Sequence, residues 1–327
     1  MKIAMIFDNA LQSRLFTKKA LDELAAMGEL CINQGDPSLE NVKATIKDAD
    51  IAITSWGNSF MTEEILNECP NLKLIVHAAG SVKPVVTDEL WERGVRVCAS
   101  TKPLGIGVAE TALGFTISAC KSFYNLNDTI HAGGFGGRKE VRELYEITVG
   151  VVSAGFVGRH YIKLLQNFGV EVLLYDPFVT DQQAKEMGCT KAELAELLEK
   201  SDVVSLHAPS IPETNHMINA DTLKLMKKDA ILINTSRGSV IDEKALYEHM
   251  AAGNLKYACL DVFDPEPLKP ENPLRTLKNV IMTPHIAGLA NNGQLRIGAH
   301  AVEEIQRFIN GQPMDCEVKK EMLSRMA

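Results

Sequence analysis

Ile147-Thr-Val-Gly-Val-Val152-Ser153-Ala154-Gly155-Phe156-Val157-Gly158-Arg159 is the stretch that decides the fold. A β-branched, apolar run ends in a turn of small residues and continues with helical spacing over about 156–168. The pattern is G-x-G-x-x-G with Ser153 in place of the first glycine. Such a turn lets backbone N–H groups at a helix N-terminus approach a pyrophosphate. Gly155 and Gly158 hold the positions that serve close approach and helix–strand packing, with Phe156 and Val157 between them. A Cβ at Ser153 requires a negative φ or accepts strain. Alone, a damaged glycine pattern is weak and reads equally as an α/β turn without a ligand. Here Asp176 also ends the next strand, where a carboxylate accepts from a ribose diol and repels a 2′-phosphate. Pro177 and Phe178 bring no cation for that phosphate, so the expected cofactor is NAD rather than NADP.

Outward from this turn, strand-length apolar runs alternate with helical stretches. One series is 2–7, 29–33, 50–54, 72–76 and 95–98. The other is 147–152, 171–175, 202–206, 230–234, 257–262 and 279–282, near-continuous runs that suit strands buried on both faces. Strand alternating with helix predicts α/β architecture with two parallel sheets of the Rossmann and flavodoxin kind. A helix is expected at 62–68, capped by Thr62, and a long amphipathic one at about 106–124. The glycine-rich His131-Ala-Gly-Gly-Phe-Gly-Gly137 lacks a preceding strand and a following helix start, so it reads as a surface connection and not a phosphate loop. A last helical stretch, about 293–310, follows the second series and could return to the first domain.

The chain has 327 residues, enough for two domains, and 46% hydrophobic with 23% charged residues is ordinary for a globular protein. A net charge of −8 without a basic block argues against a nucleic-acid surface. The N-terminal apolar run is too short for a signal peptide or membrane helix, so no membrane partner is expected. Seven scattered cysteines without Cys-x-x-Cys suit reduced thiols in a cytoplasmic protein. No metal-binding spacing occurs, so no metal is expected.

Three C-terminal stretches carry reactive side chains at strand ends: Asn234-Thr-Ser-Arg237-Gly238, Asp264-Pro-Glu266-Pro267 and Thr283-Pro-His285. Most arginines in such turns make surface ion pairs, but Arg237 could clamp a carboxylate through two parallel hydrogen bonds and polarise a neighbouring carbonyl. A lone histidine is commonly structural. His285 with a carboxylate partner could instead move a proton to a carbonyl oxygen as hydride arrives. Glu266 would stabilise the imidazolium, and Asp264 is its rival for that part. The loop His77-Ala-Ala-Gly80-Ser81-Val82-Lys83 also leaves a strand end. The N–H groups of Gly80, Ser81 and Val82 could nest a substrate carboxylate.

With these residues in place, the chain resembles the D-isomer-specific 2-hydroxyacid dehydrogenases, which include phosphoglycerate, glyoxylate/hydroxypyruvate and D-lactate dehydrogenases. Val108-Ala-Glu110, Ser153 to Gly158, Asp176, His207-Ala-Pro209, Asn234 to Gly238, Leu260-Asp261-Val-Phe263 with Glu266-Pro267, and Thr283-Pro-His285 carry the resemblance, which covers nearly the whole chain. It implies a catalytic trio of Arg237, Glu266 and His285, with the family spacing favouring Glu266 over Asp264. It also implies cofactor contacts from His207, Pro209, Thr235, Ser236, Arg237, Asp261 and His285. A substrate domain of 1–100 plus 291–327, with a cofactor domain of 101–290 inserted, follows from the same likeness. So do a small 2-oxo or 2-hydroxy acid substrate, a homodimer joined through the cofactor domain, and no added regulatory domain. Many relatives place an acidic residue in the loop that here reads Gly-Ser-Val-Lys-Pro. A dinucleotide-sensing, corepressor-like protein on the same scaffold is the alternative, disfavoured by the complete Arg–Glu–His set.

Overall fold

The computed structural model describes residues 1–58 and 60–326. It divides into two compact units, Met1–Leu104 with Leu289–Ala327, and Gly105–Gly288. The first unit holds β1 (Lys2–Met5), β2 (Glu29–Ile32), β3 (Ile51–Thr54), β4 (Leu74–His77) and β5 (Arg96–Ala99). Helices such as Leu39–Ile46 connect them, and the parallel order is β5-β4-β3-β1-β2. Ile3, Ile51, Leu74 and Val76 are fully buried on one side and Ala4, Ala52 and Ile75 on the other, as expected where helices cover both faces.

The expected helix at 106–124 is two helices, α1 (Thr101–Cys120) and α2 (Phe123–His131). The break falls at Ser122, whose φ of +54° stops α-helical propagation. α1 is not amphipathic: its apolar residues surround the axis, so it is long and apolar enough to cross a membrane, and half of that stretch is buried inside the protein. The helix expected at 62–68 spans only Glu63–Leu66, and Thr62 makes no side-chain capping bond.

The second unit contains β6 (Tyr145–Val152), α3 (Phe156–Leu165), β7 (Gly169–Tyr175), β8 (Thr190–Lys191), β9 (Val203–Leu206), β10 (Ile231–Asn234), α4 (Glu243–Ala251), β11 (Tyr257–Leu260) and β12 (Val280–Met282). Its sheet order is β12-β11-β10-β9-β6-β7-β8, all parallel. The order reverses between β6 and β9, the kind of switch point where α/β sheets bind ligands. One row of partners runs through the sheet. Val152 pairs with Tyr175 and with Leu206, Leu206 with Asn234, Asn234 with Leu260, and Leu260 with Met282. The residue after each, namely Ser153, Asp176, His207, Thr235, Asp261 and Thr283, leaves the sheet at one level.

The chain then forms α5 (Asn291–Ile309) and the short β13 (Glu317–Val318), which pairs antiparallel with β5 in the first unit. Glu304 of α5 is fully buried and accepts from the Cys98 thiol and from the N–H groups of Asp315 and Cys316. Burial alone would raise its pKa, but these donors and His300 hold it below the ordinary glutamate value. His300, Asp315 and Cys316 bring three possible metal-ligand atoms within 4.8 Å of one another. Lys102 already pairs with Asp315, and Arg307 with Glu304, so the cluster is charge-balanced.

Candidate active site

The cofactor turn is built from β6 into α3. Ser153 adopts φ +75°, so its Cβ is accommodated at the cost of strain, on the order of 1–3 kcal/mol. Asp176 stabilises that conformation: its carboxylate accepts from Ala154 N–H at 2.8 Å, from Phe178 N–H at 2.8 Å and from the Ser153 hydroxyl at 3.4 Å. Asp176 is only 6% exposed, yet a carboxylate offers about four acceptor positions, which leaves room for a diol. Gly158 is required by packing, because a Cβ there would lie 2.1 Å from the Ser153 carbonyl oxygen. A Cβ on Gly155 would meet nothing within 4 Å, so open space lies above the helix N-terminus. No side chain caps α3, which leaves the first-turn N–H groups at Phe156, Val157 and Gly158 for a ligand.

Two further polar groups along the sheet end lack partners. His207 Nδ1 and Thr235 Oγ1 are buried without a hydrogen-bond partner among the described residues. Buried polar atoms are nearly always paired, so both point to a polar group that binds here. Burial pushes the His207 pKa down to about 3 and keeps the ring neutral. Pro209, two residues on, is held by the Thr214 hydroxyl on its carbonyl. An open approach at Gly155, free helix N–H groups and orphaned acceptors together fit a dinucleotide.

Arg237 is set by the turn after β10. Asn234 Oδ1 accepts from the Ser236 N–H and hydroxyl at 3.0 and 2.7 Å, while its amide donates to the Arg237 carbonyl at 2.9 Å. This is the local turn that an asparagine side chain favours. Gly238 lets the turn press against the next loop, since a Cβ there would lie 2.0 Å from the Phe263 carbonyl carbon. The Arg237 guanidinium donates to the Ser236 carbonyl at 2.6 Å. Burial lowers its pKa, and the nearby Glu266 carboxylate opposes that shift.

Glu266 accepts from Phe263 N–H at 3.0 Å through Oε1 and meets His285 Nδ1 at 2.7 Å through Oε2. Asp264, the rival partner, makes no such contact, and its N–H donates to Glu243 at the start of α4. His285 sits at φ +53°, where its N–H donates to the carbonyls of Asp261 and Thr283. Asp261, expected beside the cofactor, is fully buried. Its carboxylate accepts from the Thr283 hydroxyl at 2.5 Å and from the N–H groups of Ile286 and Ala287 at 2.9 and 2.8 Å. Asp261 therefore shapes the His285 turn. The His285 and Glu266 side chains remain 48% and 35% exposed. They border a cavity of about 550 Å³ that Phe263, Leu268, Met282 and Arg275 also line.

The Gly80–Val82 loop belongs to the other unit. His77 Nδ1 contacts the Thr54 hydroxyl at 2.9 Å and the ring bonds the Ser81 backbone, while burial lowers its pKa to about 4. The Val82 side chain is fully buried, so only its backbone can serve a ligand. The N–H groups of Gly80 and Val82 meet no acceptor among the described residues. The exposed 131–137 segment follows α2 without entering a strand. Asp261, Asn234 and Gly238 also shape the turns that carry His285 and Arg237, parts that the sequence alone did not show. The Asn-x-Ser spacing at 234–236 was the one local signal available.

Comparison with known proteins agrees with this geometry. Residues 113–287 match the model of the D-isomer specific 2-hydroxyacid dehydrogenase NAD binding domain. The chain is 33% identical to a D-3-phosphoglycerate dehydrogenase of Methanocaldococcus jannaschii over 90% of its own length, but it spans only 56% of that relative. It spans about half the length of similar phosphoglycerate dehydrogenases from Synechocystis and Archaeoglobus fulgidus. A glyoxylate reductase of Korarchaeum cryptofilum is 31% identical, with 87% of each chain covered. A D-lactate dehydrogenase of Aquifex aeolicus, solved with NAD and lactic acid, superposes with a TM-score of 0.73 at 29% identity, covering 95% of this chain and 96% of that one. The chain belongs to the D-isomer specific 2-hydroxyacid dehydrogenase family and carries that family's NAD-binding domain.

Proposed function

We propose that the protein is an NAD-dependent oxidoreductase that moves a hydride between nicotinamide and C2 of a small 2-oxo or D-2-hydroxy acid. The observation that carries this reading is the 2.7 Å Glu266–His285 pair in the same unit as Arg237 and the Ser153–Gly158 turn. The bound cofactor supplies the hydride. Arg237 binds the substrate carboxylate and leans toward the C2 oxygen, where its fixed charge stabilises the oxyanion that develops. His285 gives a proton to that oxygen from Nε2, because Nδ1 faces Glu266. Glu266 orients the ring and stabilises it when charged. In the oxidation direction the same nitrogen takes the proton back.

We further propose that two copies join through the cofactor-binding unit. Phe123, Ile130, Phe135 and Tyr145 are large apolar residues exposed along one stretch of it, Phe135 at 91%. Phe135→Asp should then convert a dimer to a monomer in sedimentation. A monomeric parent protein would contradict the reading.

Assays of glyoxylate, hydroxypyruvate, pyruvate, 2-oxoglutarate and branched-chain 2-oxo acids with NADH should reveal turnover of at least one, and NADPH should serve poorly. Arg237→Ala should lower kcat/KM at least about a hundredfold while leaving NADH affinity near its parent value. Equal loss of both would count against a substrate role. The two glycines of the turn should behave differently. Gly155→Ala should keep its thermal midpoint and lose NADH affinity, whereas Gly158→Ala should lose stability as well. A Gly155→Ala protein that binds NADH normally would show that the ligand does not approach there.

A further inference from the structure

Within the first unit, α5 and the segment that leads into β13 bring a histidine, a carboxylate and a thiol together. A ring nitrogen of His300, a carboxylate oxygen of Asp315 and the Cys316 sulfur all lie within 4.8 Å of one another. Their separation along the chain matches no metal-binding spacing, so the set exists only in the folded protein. His300 supplies the observation that gives it a purpose. The residue is only 7% exposed, and its Nε2 is buried with no hydrogen-bond partner among the described residues. Buried polar atoms are nearly always paired, and a neutral imidazole nitrogen offers its lone pair to a metal ion. The Ser100 hydroxyl lies 3.4 Å from Nδ1, the place where a metal-bound histidine has its orienting partner.

Neighbouring contacts set the other two ligands. Glu304 Oε2 accepts from the N–H groups of Asp315 and Cys316 at 2.8 and 3.3 Å. Glu304 thereby fixes the backbone from which both ligand side chains project. Lys102 Nζ lies 2.6 Å from Asp315 Oδ2, and Arg307 Nη1 lies 4.0 Å from the same oxygen. Both cations contact Oδ2, which leaves Oδ1 for an ion. Ligand atoms around a tetrahedral zinc ion sit roughly 3.3–3.6 Å apart, so side-chain rotations of about an ångström close the set. Cys316 is buried while Asp315 is exposed, so an ion enters from the Asp315 side. Imidazole, carboxylate and thiolate together suit zinc, whereas magnesium and calcium take oxygen ligands.

We propose that His300, Asp315 and Cys316 bind one divalent ion of the zinc class, with water in the fourth position, and that this ion staples α5 to the approach to β13. On binding, Cys316 loses its proton to solvent and coordinates as the thiolate. Lys102 and Arg307 already offset Asp315 and Glu304, so the thiolate neutralises half of the ion's charge. The remainder lies beside the exposed Asp315, where water and salt screen it. β13 is two residues long and pairs only with β5, at the edge of its sheet. A link just ahead of it would hold that edge in place. The site is independent of the hydride-transfer reading.

The test titrates full-length protein, first stripped with a chelator, with Zn²⁺ and with Co²⁺. The parent should take up one Zn²⁺ per chain with a rise in thermal midpoint. Its Co²⁺ form should show the near-ultraviolet band of a thiolate–metal bond. His300→Gln and Cys316→Ser should each weaken Zn²⁺ binding at least about a hundredfold, Ser100→Ala about tenfold, and Cys316→Ser should abolish the band. Asp315→Asn changes an exposed side chain, so it decides the matter if a buried variant fails to fold, and it should weaken binding at least about tenfold. Cys31→Ser, which removes the half-exposed thiol, should change nothing. No Zn²⁺ uptake by the parent, or uptake that the His300, Asp315 and Cys316 variants leave unchanged, would overturn the site. Loss of the band in Cys31→Ser would assign an adventitious ion only and overturn it equally. Uptake at these residues without a rise in thermal midpoint would overturn the staple.

Discussion

One backbone row, from Tyr175 through Val152, Leu206, Asn234 and Leu260 to Met282, fixes where each candidate side chain leaves the sheet. Parallel pairing makes that row a strict register, since a slip of one residue sends every side chain to the opposite face. Strands such as 231–234 and 257–260 are buried throughout, so a slipped register would displace an entire apolar layer. The burial that stabilises the sheet thus also aligns Ser153, Asp176, His207 and Thr235 at one edge. The active-site geometry is a consequence of core packing before it is a matter of local loop design.

Beyond that edge, hydrogen bonds donated to buried acids convert loops into fixed turns. Asp176 holds the strained Ser153, and Asp261 holds His285 at a positive φ. Gly238 lets the Arg237 turn touch the Phe263 backbone, which in turn donates to Glu266. Arg237, Glu266 and His285 come from three different strand ends. Their mutual geometry therefore depends on these bridging contacts more than on their separation in sequence. Each bridge restrains rotamers before substrate binds, and that restraint is what gives a positioned proton donor its advantage over one in solution.

Elements buried on both faces were legible because their apolar runs are continuous, and the turn at Ser153 was legible because glycine spacing reports backbone approach. Short edge strands at 190–191 and 317–318 were not, since two residues carry no periodic signal. The break at Ser122 is equally invisible, because a left-handed serine leaves no mark in composition. For the site, residue types and order marked Arg237, Glu266 and His285. The part of Asp261 in holding the His285 turn was not legible, because a carboxylate after a strand reads the same whether it faces a ligand or a neighbouring turn.

The central claim is that Glu266 and His285 act as one proton-transfer unit. A double-mutant cycle on the rate of 2-oxo acid reduction, with Glu266→Ala, His285→Ala and the pair, measures that coupling directly. If Glu266 works through the ring it contacts at 2.7 Å, the double variant should be no slower than His285→Ala alone. Multiplicative losses, with the double variant slower by the product of the two single effects, would contradict the account.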